Sequence, residues 1–324
     1  MKRITLTIAT ILLATVAFAQ EWKDVWTDYH WTDGGEMLSS VRLNKSQVLL
    51  VANGYTDAGY GYLLEVESLG GTNHNMKSIP ESQVKERPQY LDELAAQMLD
   101  NESCNGTLDN IWKRREVGGH DVILRYSSDN VLRTVYLPTG REMSEVANDD
   151  MQEILSGTYT STTGKKFQFN TDGTCIFDGR QTTYYMADEG EYGMPDYYIT
   201  AERQIWEMEL TAEGMNIYKV FHRADVDGPQ RGKLYATLKA SKKSPRWPFL
   251  SDRICASYAL EIRDKELLRI MRNEIYARHG YRFSDKKLQT YFASCPWYKP
   301  AKDNSLVKLT DVESLNVELI RRWE

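Results

Sequence analysis

The sequence predicts an α+β fold class in three parts: an N-terminal α+β domain, a central small antiparallel β barrel or sandwich, and a C-terminal three-helix module. Three observations predict it. Short apolar runs, turns and one helical stripe fill the stretch to about Asn148. Evenly spaced strand patterns with Gly-containing turns run from Gly157 to about Ala240. Apolar residues at helical spacing then return after Pro248. The boundaries fall at 1–19 for a signal peptide, 20–148, 149–240 and 250–324 for the three domains, and 241–249 for a linker.

Met1-Lys2-Arg3 is a short basic head, followed by an apolar run from Ile4 to Phe18 and an Ala17-Phe18-Ala19 cleavage signal. The run is short for a membrane span, which takes about 20 residues. Cleavage after Ala19 is expected, with no cysteine near the cut to carry a lipid and no later stretch of membrane length. The alternative is an uncleaved anchor. The mature protein is expected to be soluble in the periplasm or outside the cell. About 305 residues remain, enough for two or three domains at about 100–200 residues each, and 41% apolar content excludes a disordered chain.

In the first domain Gln47–Ala52 reads as a buried strand ended by Asn53-Gly54, and Tyr60–Ser68 as another ended by Gly70-Gly71. Leu91, Leu94, Ala95 and Met98 give Gln89–Leu99 a helical stripe. Val122–Tyr126 and Val131–Leu137 flank the turn Ser127–Asn130 as a hairpin. A short helix over Asp149–Leu155 leads into strands at 158–162, 166–170, 174–178, 180–185, 197–200, 204–211, 215–222 and 233–238. The run Gly157–Thr174, with Thr163-Gly164 and Asp172-Gly173 as its turns, resembles the opening hairpin of small lipocalin-like barrels. Ser241–Pro248 is polar, basic and proline-bearing, and reads as part of the linker.

Charge is uneven. Ser251–Glu324 carries 14 basic and 11 acidic side chains, while the rest of the mature chain carries 24 basic and 35 acidic. A nucleic-acid partner needs a dense basic surface, so an acidic body with a mildly basic tail excludes that class. Cys104, Cys175, Cys255 and Cys295 make an even count in an exported chain, which permits disulfides. Three pairings are open, and Cys255–Cys295 is favoured because both lie in one small module. Their spacing fits no zinc pattern. Asp225-Val226-Asp227-Gly228 lacks the bidentate Glu of a calcium loop and reads as a turn. No metal and no cofactor is expected.

The most informative stretch is Leu267-Leu-Arg-Ile-Met-Arg-Asn-Glu-Ile-Tyr-Ala-Arg-His-Gly-Tyr-Arg-Phe283, with Tyr291-Phe292 and Pro296-Trp297-Tyr298-Lys299-Pro300 beyond it. It resembles the YARHG domain of exported bacterial proteins, with the naming motif intact at Tyr276–Gly280. The resemblance covers about a quarter of the chain. It implies an exported module and brings no activity or binding residue with it. Leu267, Leu268, Met271 and Ile275 share one helix face, and Gly280 supplies the left-handed residue that stops the helix. Glu274, Arg278 and His279 lie on or beside the apolar face, where charge is costly unless paired, and Glu274 and Arg278 are spaced i, i+4 for an ion pair. Ser284 is the expected cap of a second helix to Phe292. Thr310-Asp-Val-Glu313 is a capping box before a stripe of Leu315, Leu319 and Trp323.

Three readings of the trio stand open. It caps and packs the helix. It forms an anion- or glycan-binding notch, with Arg278 and His279 as donors and Trp297 or Tyr298 as a stacking wall. Or it belongs to a hydrolytic site, for which one histidine and one carboxylate are few. Trp22, Trp26, Tyr29, His30 and Trp31 are a second aromatic group, for packing or for a carbohydrate platform. There is no Gly-x-Ser-x-Gly and no His-Glu-x-x-His. The expected function is that of a non-enzymatic cell-envelope binding or accessory protein engaging a glycan, peptide or protein; the alternatives are an envelope hydrolase acting on peptide or cell-wall bonds, and a purely structural assembly protein.

Overall fold

Gln47–Gly54 lacks clean alternation because both faces of this strand find a core. Val48 and Leu50 point into one apolar cluster, and Leu49 and Val51 into another with Leu43, Leu63 and Ile79. The computed structural model describes residues 30–44, 46–54, 60–67, 73–84, 110–139, 143–186 and 197–324. They form two closed eight-stranded antiparallel barrels and a set of helices. The chain divides into two compact units. One holds Glu36–Val131 and Tyr136–Arg141 with the residues up to Thr32, and the other holds Asp33–Gly35, Leu132–Val135 and Glu142–Glu324.

The first barrel is a meander of β1 (His30–Thr32), β2 (Glu36–Arg42), β3 (Gln47–Gly54), β4 (Tyr60–Val66), β5 (His74–Ser78), β6 (Ile111–Val117), β7 (His120–Tyr126) and β8 (Leu132–Thr139), closed by β1 on β8. An interior of eight strands is just wide enough for side chains to fill. Here Trp31, Trp112, Tyr136, Leu38, Leu64 and Ile123 fill it. The Arg125 guanidinium lies 5.6–5.7 Å from the ring centroids of Tyr62, Trp112 and Tyr136, and donates to the Tyr62 hydroxyl at 2.8 Å. Rings and a phenol thus replace part of the water the cation gives up. The hairpin expected around Ser127–Asn130 joins β7 to β8. The expected helix at Gln89–Leu99 lies outside the described residues, as do Cys104, Trp22, Trp26 and Tyr29. Trp31 is 1% exposed and serves the barrel core.

In the second unit α1 (Met143–Leu155) begins six residues before the expected Asp149. Its buried residues Val146, Ala147, Met151, Ile154 and Leu155 form one stripe, and Asp150, 1% exposed, is the polar member of it. The acidic character of the first turns hid that stripe from the sequence. The second barrel follows: β9 (Gly157–Ser161), β10 (Lys166–Phe169), β11 (Thr174–Phe177), β12 (Arg180–Met186), β13 (Tyr198–Ala201), β14 (Gln204–Thr211), β15 (Gly214–Arg223) and β16 (Val226–Ala240), closed by β16 on β9. Edge-to-face rings hold its interior, with centroids 5.3 Å apart for Phe167–Phe177 and 5.4 Å for Phe169–Tyr184. β16 is longer than the expected 233–238, because it pairs with β15 through three register shifts that absorb Gly228 and Gly232, with Pro229 opposite His222.

The C-terminal part contributes α2 (Lys265–Arg278), α3 (Lys286–Ala293) and α4 (Asp311–Trp323), with short 3-10 turns at Pro248–Ser251, Tyr258–Leu260 and Asn304–Leu306. It docks on α1 and on the neighbouring barrel loops. Trp247 Nε1 donates to Ile154 O (3.2 Å), Tyr197 Oη to Ala259 O (2.8 Å), Arg246 Nη1 to Ala212 O (3.2 Å), and Ala212 N to Asp264 Oδ2 (3.0 Å). Within the stretch expected as a linker Lys243, Ser244 and Pro248 are exposed, while Trp247 is only 1% exposed and anchors its end. A Trp can anchor as well as connect, and its neighbours' charges masked that in the sequence.

Asp150 ties α1 to this part. It accepts from Arg253 and from the Ala256 backbone N–H. Asp150→Ala leaves the buried Ala256 amide without its acceptor and the part-exposed Arg253 with Glu153 alone, 3.9 Å away. The expected loss is about 1–3 kcal/mol, read as a lower urea midpoint for the second unit.

Candidate functional site

Helix α2 starts where Asp264 caps it, its side chain accepting from Glu266 N (2.9 Å) and Leu267 N (3.0 Å). Leu267, Leu268, Met271 and Ile275 are fully buried, as their spacing predicts. His279 is the C-cap and Gly280 takes the left-handed conformation at φ +79°. Gly280 N–H donates to Ala277 O (2.9 Å) and Tyr281 N–H to Tyr276 O (3.0 Å), while the rings of Tyr276 and Tyr281 meet at 5.6 Å. That is a Schellman stop with its hydrophobic contact.

Glu274 is 2% exposed and does not form the expected ion pair with Arg278. Its carboxylate accepts from the backbone N–H groups of Arg246 (3.0 Å) and Trp247 (2.8 Å). Two buried amides outcompete one side chain a turn away, because an unpaired buried N–H carries its full desolvation cost. Burial pushes the Glu274 carboxyl above the ordinary range, against those amides and the attraction of Arg278. Arg278 Nη1 donates to Pro248 O at 2.8 Å, and its Nε and Nη2 are shielded from solvent with no hydrogen-bond partner. Burial lowers its pKa, opposed by Glu274, Glu313 and Asp252.

His279 Nε2 sits 2.8 Å from both oxygens of Glu313. Glu313 also accepts from Ser251 Oγ and from Thr310 N–H (2.9 Å), completing the capping box of α4. Burial works to raise the Glu313 carboxyl. The hydrogen bonds from Ser251, Thr310 and His279 outweigh it and hold the group below the ordinary range. The capping box was legible; the reach to His279 and Ser251, 34 and 62 residues away in sequence, was not. Helix α3 is capped by Asp285 rather than Ser284, since the Asp285 side chain accepts from Leu288 N.

Trp297 and Tyr298 join a separate aromatic cluster. Trp297 lies 6.1 Å from Phe292, and Tyr298 packs on Phe283 and Phe292 and donates to Tyr281 O at 2.7 Å. The structure thus gathers Arg278 and His279 around Glu313, and places the expected stacking wall in the packing of α3.

The Cys255–Cys295 pairing is not formed; both are buried free thiols, as is Cys175. Cys255 Sγ turns to Ala256 O (3.6 Å) and Cys295 Sγ to Tyr291 O (3.5 Å), each bonded within its own segment. Asn316, fully buried, ties the segment instead. It accepts from Cys255 N (3.0 Å) and donates to Leu250 O (2.8 Å) and Arg253 O (2.9 Å). Burial pushes the Cys175 thiol up to about 11 and raises Cys255 and Cys295 too, which leaves these three with little thiolate for nucleophilic work at neutral pH.

A second constellation escaped the sequence. A pocket of about 40 Å³ is lined by Glu207, Glu209 and Arg231 from β14 and β16, by Tyr197, and by Glu261–Arg263. Arg231 Nε donates to both oxygens of Glu207 (3.0 and 2.9 Å) and Nη1 to Glu209 (2.9 Å), with the guanidinium 4.3 Å from the Tyr218 ring. Glu207 and Glu209 alternate along one strand, and nothing local in the sequence points to the arginine that serves both.

Residues 247–324 match the YARHG domain. No curated protein and no solved structure matches the chain.

An ideal Cβ on Gly280 would lie 2.7 Å from Lys299 O. Gly280→Ala is expected to cost about 2 kcal/mol or more, measured by denaturant unfolding. Because the Glu313 carboxyl is held low, its contribution is present above the ordinary carboxylate range and is lost as pH falls through the folded value. Glu313→Gln should therefore lower stability by about 1–2 kcal/mol at neutral pH, with the gap to the parent closing in acid titration.

Proposed function

We propose, from the premise that residues 247–324 are a YARHG domain, that the chain is an exported cell-envelope binding or accessory protein with no catalytic site in that domain, and that the YARHG motif is an architectural clasp. One observation carries this reading: the motif's polar side chains face inward partners. Glu274 takes two backbone amides, Arg278 reaches the Pro248 carbonyl, and His279 pairs with the carboxylate that caps α4. A hydrolase needs a nucleophile or activated water beside its base. Here Ser251 donates to Glu313 rather than facing His279.

Export is supported by the basic head, apolar run and Ala-x-Ala of residues 1–19, by the company YARHG domains keep with extracellular and periplasmic proteins, and by a described chain in which no helix is long and apolar enough to cross a membrane. An N-terminal α+β domain over 20–148 and a three-helix module over 250–324 complete the reading. The ligand is an envelope glycan, peptide or protein. On this reading its surface lies on the barrels, where Tyr185, Phe221 and Leu234 are exposed large apolar side chains of the second.

The notch reading retains one favourable observation, the two Arg278 nitrogens without partners. Both are shielded from solvent, and three carboxylates surround the guanidinium, so an internal water suits them better than an anion.

A panel of envelope glycans, peptidoglycan fragments and peptides, read by calorimetry with the mature protein and its folded Arg278→Ala variant, tests this. Binding is expected to survive the substitution. Binding lost with Arg278 moves the site to the YARHG domain and overturns the clasp reading, and turnover of any panel member overturns the non-enzymatic one.

A further inference from the structure

Strand β16 outruns the barrel it closes. It pairs with β15 from Val226 to Lys239, but with β9 only at Leu238, Lys239 and Ala240, and Thr162 N–H donates to Thr237 O just before them. From Gln230 to Ala236 the side of β16 away from β15 has no strand beside it among the described residues. In an antiparallel ribbon alternate residues turn their N–H and C=O away from the partner strand, so such an edge is a template for one more strand. The template is held in shape from both ends. Arg231 reaches across β15 to Glu207 and Glu209 on β14, with its guanidinium 4.3 Å from the Tyr218 ring. The Tyr235 ring lies 4.7 Å from that of Trp206 and 6.0 Å from that of Phe177, both buried. Gly232, Lys233 and Leu234 stand between these anchors. An edge ordered in advance lowers the entropy that binding would cost.

The side chains choose the occupant. Gly214–Ala240 carries five basic and two acidic side chains, within a region, 20–250, of 24 basic and 35 acidic. Arg231 is spent on its two glutamates and Arg223 on Asp225. Lys219 and Lys233, both exposed, hold no ion pair among the described residues. Salt screens charges farther off than about 8 Å, so these two lysines set the local sign. Leu234 and Phe221, 53% and 47% exposed, add apolar surface. An ideal Cβ on Gly232 would lie 2.8 Å from Lys219 O and 3.3 Å from the Phe221 ring, which places both residues alongside the open stretch. Pro229 blunts the edge toward the hairpin tip. A second copy of 230–236 would bring Arg231 and Lys233 with no carboxylate, so the charge that turns away self-pairing admits an acidic chain.

We propose that the open edge of β16 from Gln230 to Ala236 binds an acidic, extended peptide segment of a partner protein by strand addition. The proposal rests on the reading that the binding surface lies on the barrels, and narrows it to one edge and one class of ligand. Main-chain hydrogen bonds along the edge supply affinity, and side chains beside it supply selection. Lys219 and Lys233 select carboxylates, and Leu234 and Phe221 receive an apolar side chain.

The probe is a fluorescent peptide alternating Glu and Val, titrated with the full mature chain and read by anisotropy. Saturable binding is expected, and a peptide alternating Lys and Val should not bind. Methylating the peptide's backbone nitrogens at every second residue should weaken binding about tenfold or more in one of the two alternations, the one whose N–H groups face β16. Lys233→Glu should weaken it about fivefold or more, while Lys239→Glu, the same charge change where β9 covers the edge, should leave it unchanged. Absence of binding, equal binding of the basic peptide, indifference to both methylation patterns, or equal effects of the two substitutions overturns the proposal. So does a parent chain that sediments as a dimer until Lys233→Glu breaks it, which gives the edge to a second copy. Arg278→Ala in the same titration separates this failure from that of the clasp reading. Peptide released by Arg278→Ala rather than by Lys233→Glu overturns both, and peptide kept by both variants overturns the edge alone.

Discussion

Everything in the C-terminal part depends on one buried carboxylate receiving two backbone amides. Glu274 fixes Arg246 and Trp247 at the point where the chain leaves the second barrel. With those two residues fixed, the indole of Trp247 reaches Ile154 on α1 and the Arg246 side chain reaches Ala212 in the β14–β15 turn. A charge in such a place destabilises unless its hydrogen bonds are nearly complete. The same condition makes it a strict positional constraint, because only one path of the incoming chain satisfies it.

The pattern repeats. Asp150 takes the Ala256 amide, Asp264 takes Ala212 and the first amides of α2, and Asn316 takes the Cys255 amide while donating to two carbonyls. Each joins segments far apart in sequence, and each ends on backbone. Side chain to backbone bonds fix the path of irregular chain that helices and strands leave undetermined. That is how a part with short helices and long connections stays ordered with free thiols where a disulfide was expected.

Period and turn chemistry made the second barrel legible almost strand by strand: Gln204–Thr211 was readable in full, and 174–178 and 180–185 within a residue at their ends. The stop at Gly280 and the box at Thr310–Glu313 were legible for the same reason, since each is a local rule carried by neighbouring residues. The partners of Glu274, Glu313 and Asp150 were not, because they come from residues 27 to 106 positions away. Helical spacing placed Arg278 within reach of Glu274, and it could not reveal that two amides would take the carboxylate first. The lysines, prolines and serines of 241–249 describe an exposed chain, as Lys243, Ser244 and Pro248 are, and they hid the anchoring role of the buried Trp247 among them.

The motif Tyr276-Ala277-Arg278-His279-Gly280 can be derived from that architecture alone. Tyr276 supplies the ring against Tyr281 that seals the helix stop. Ala277 is 1% exposed, so a larger side chain must displace its neighbours. Arg278 holds the Pro248 carbonyl at the start of the 3-10 turn, and His279 holds the carboxylate that caps α4. Gly280 allows the chain to reverse with Lys299 O and Ala301 N close to where a Cβ would stand. Five consecutive residues thus fasten one helix end to three other segments. Apart from the Nε and Nη2 of Arg278, which find no partner, each polar group of the motif described here is spent on holding a neighbouring segment.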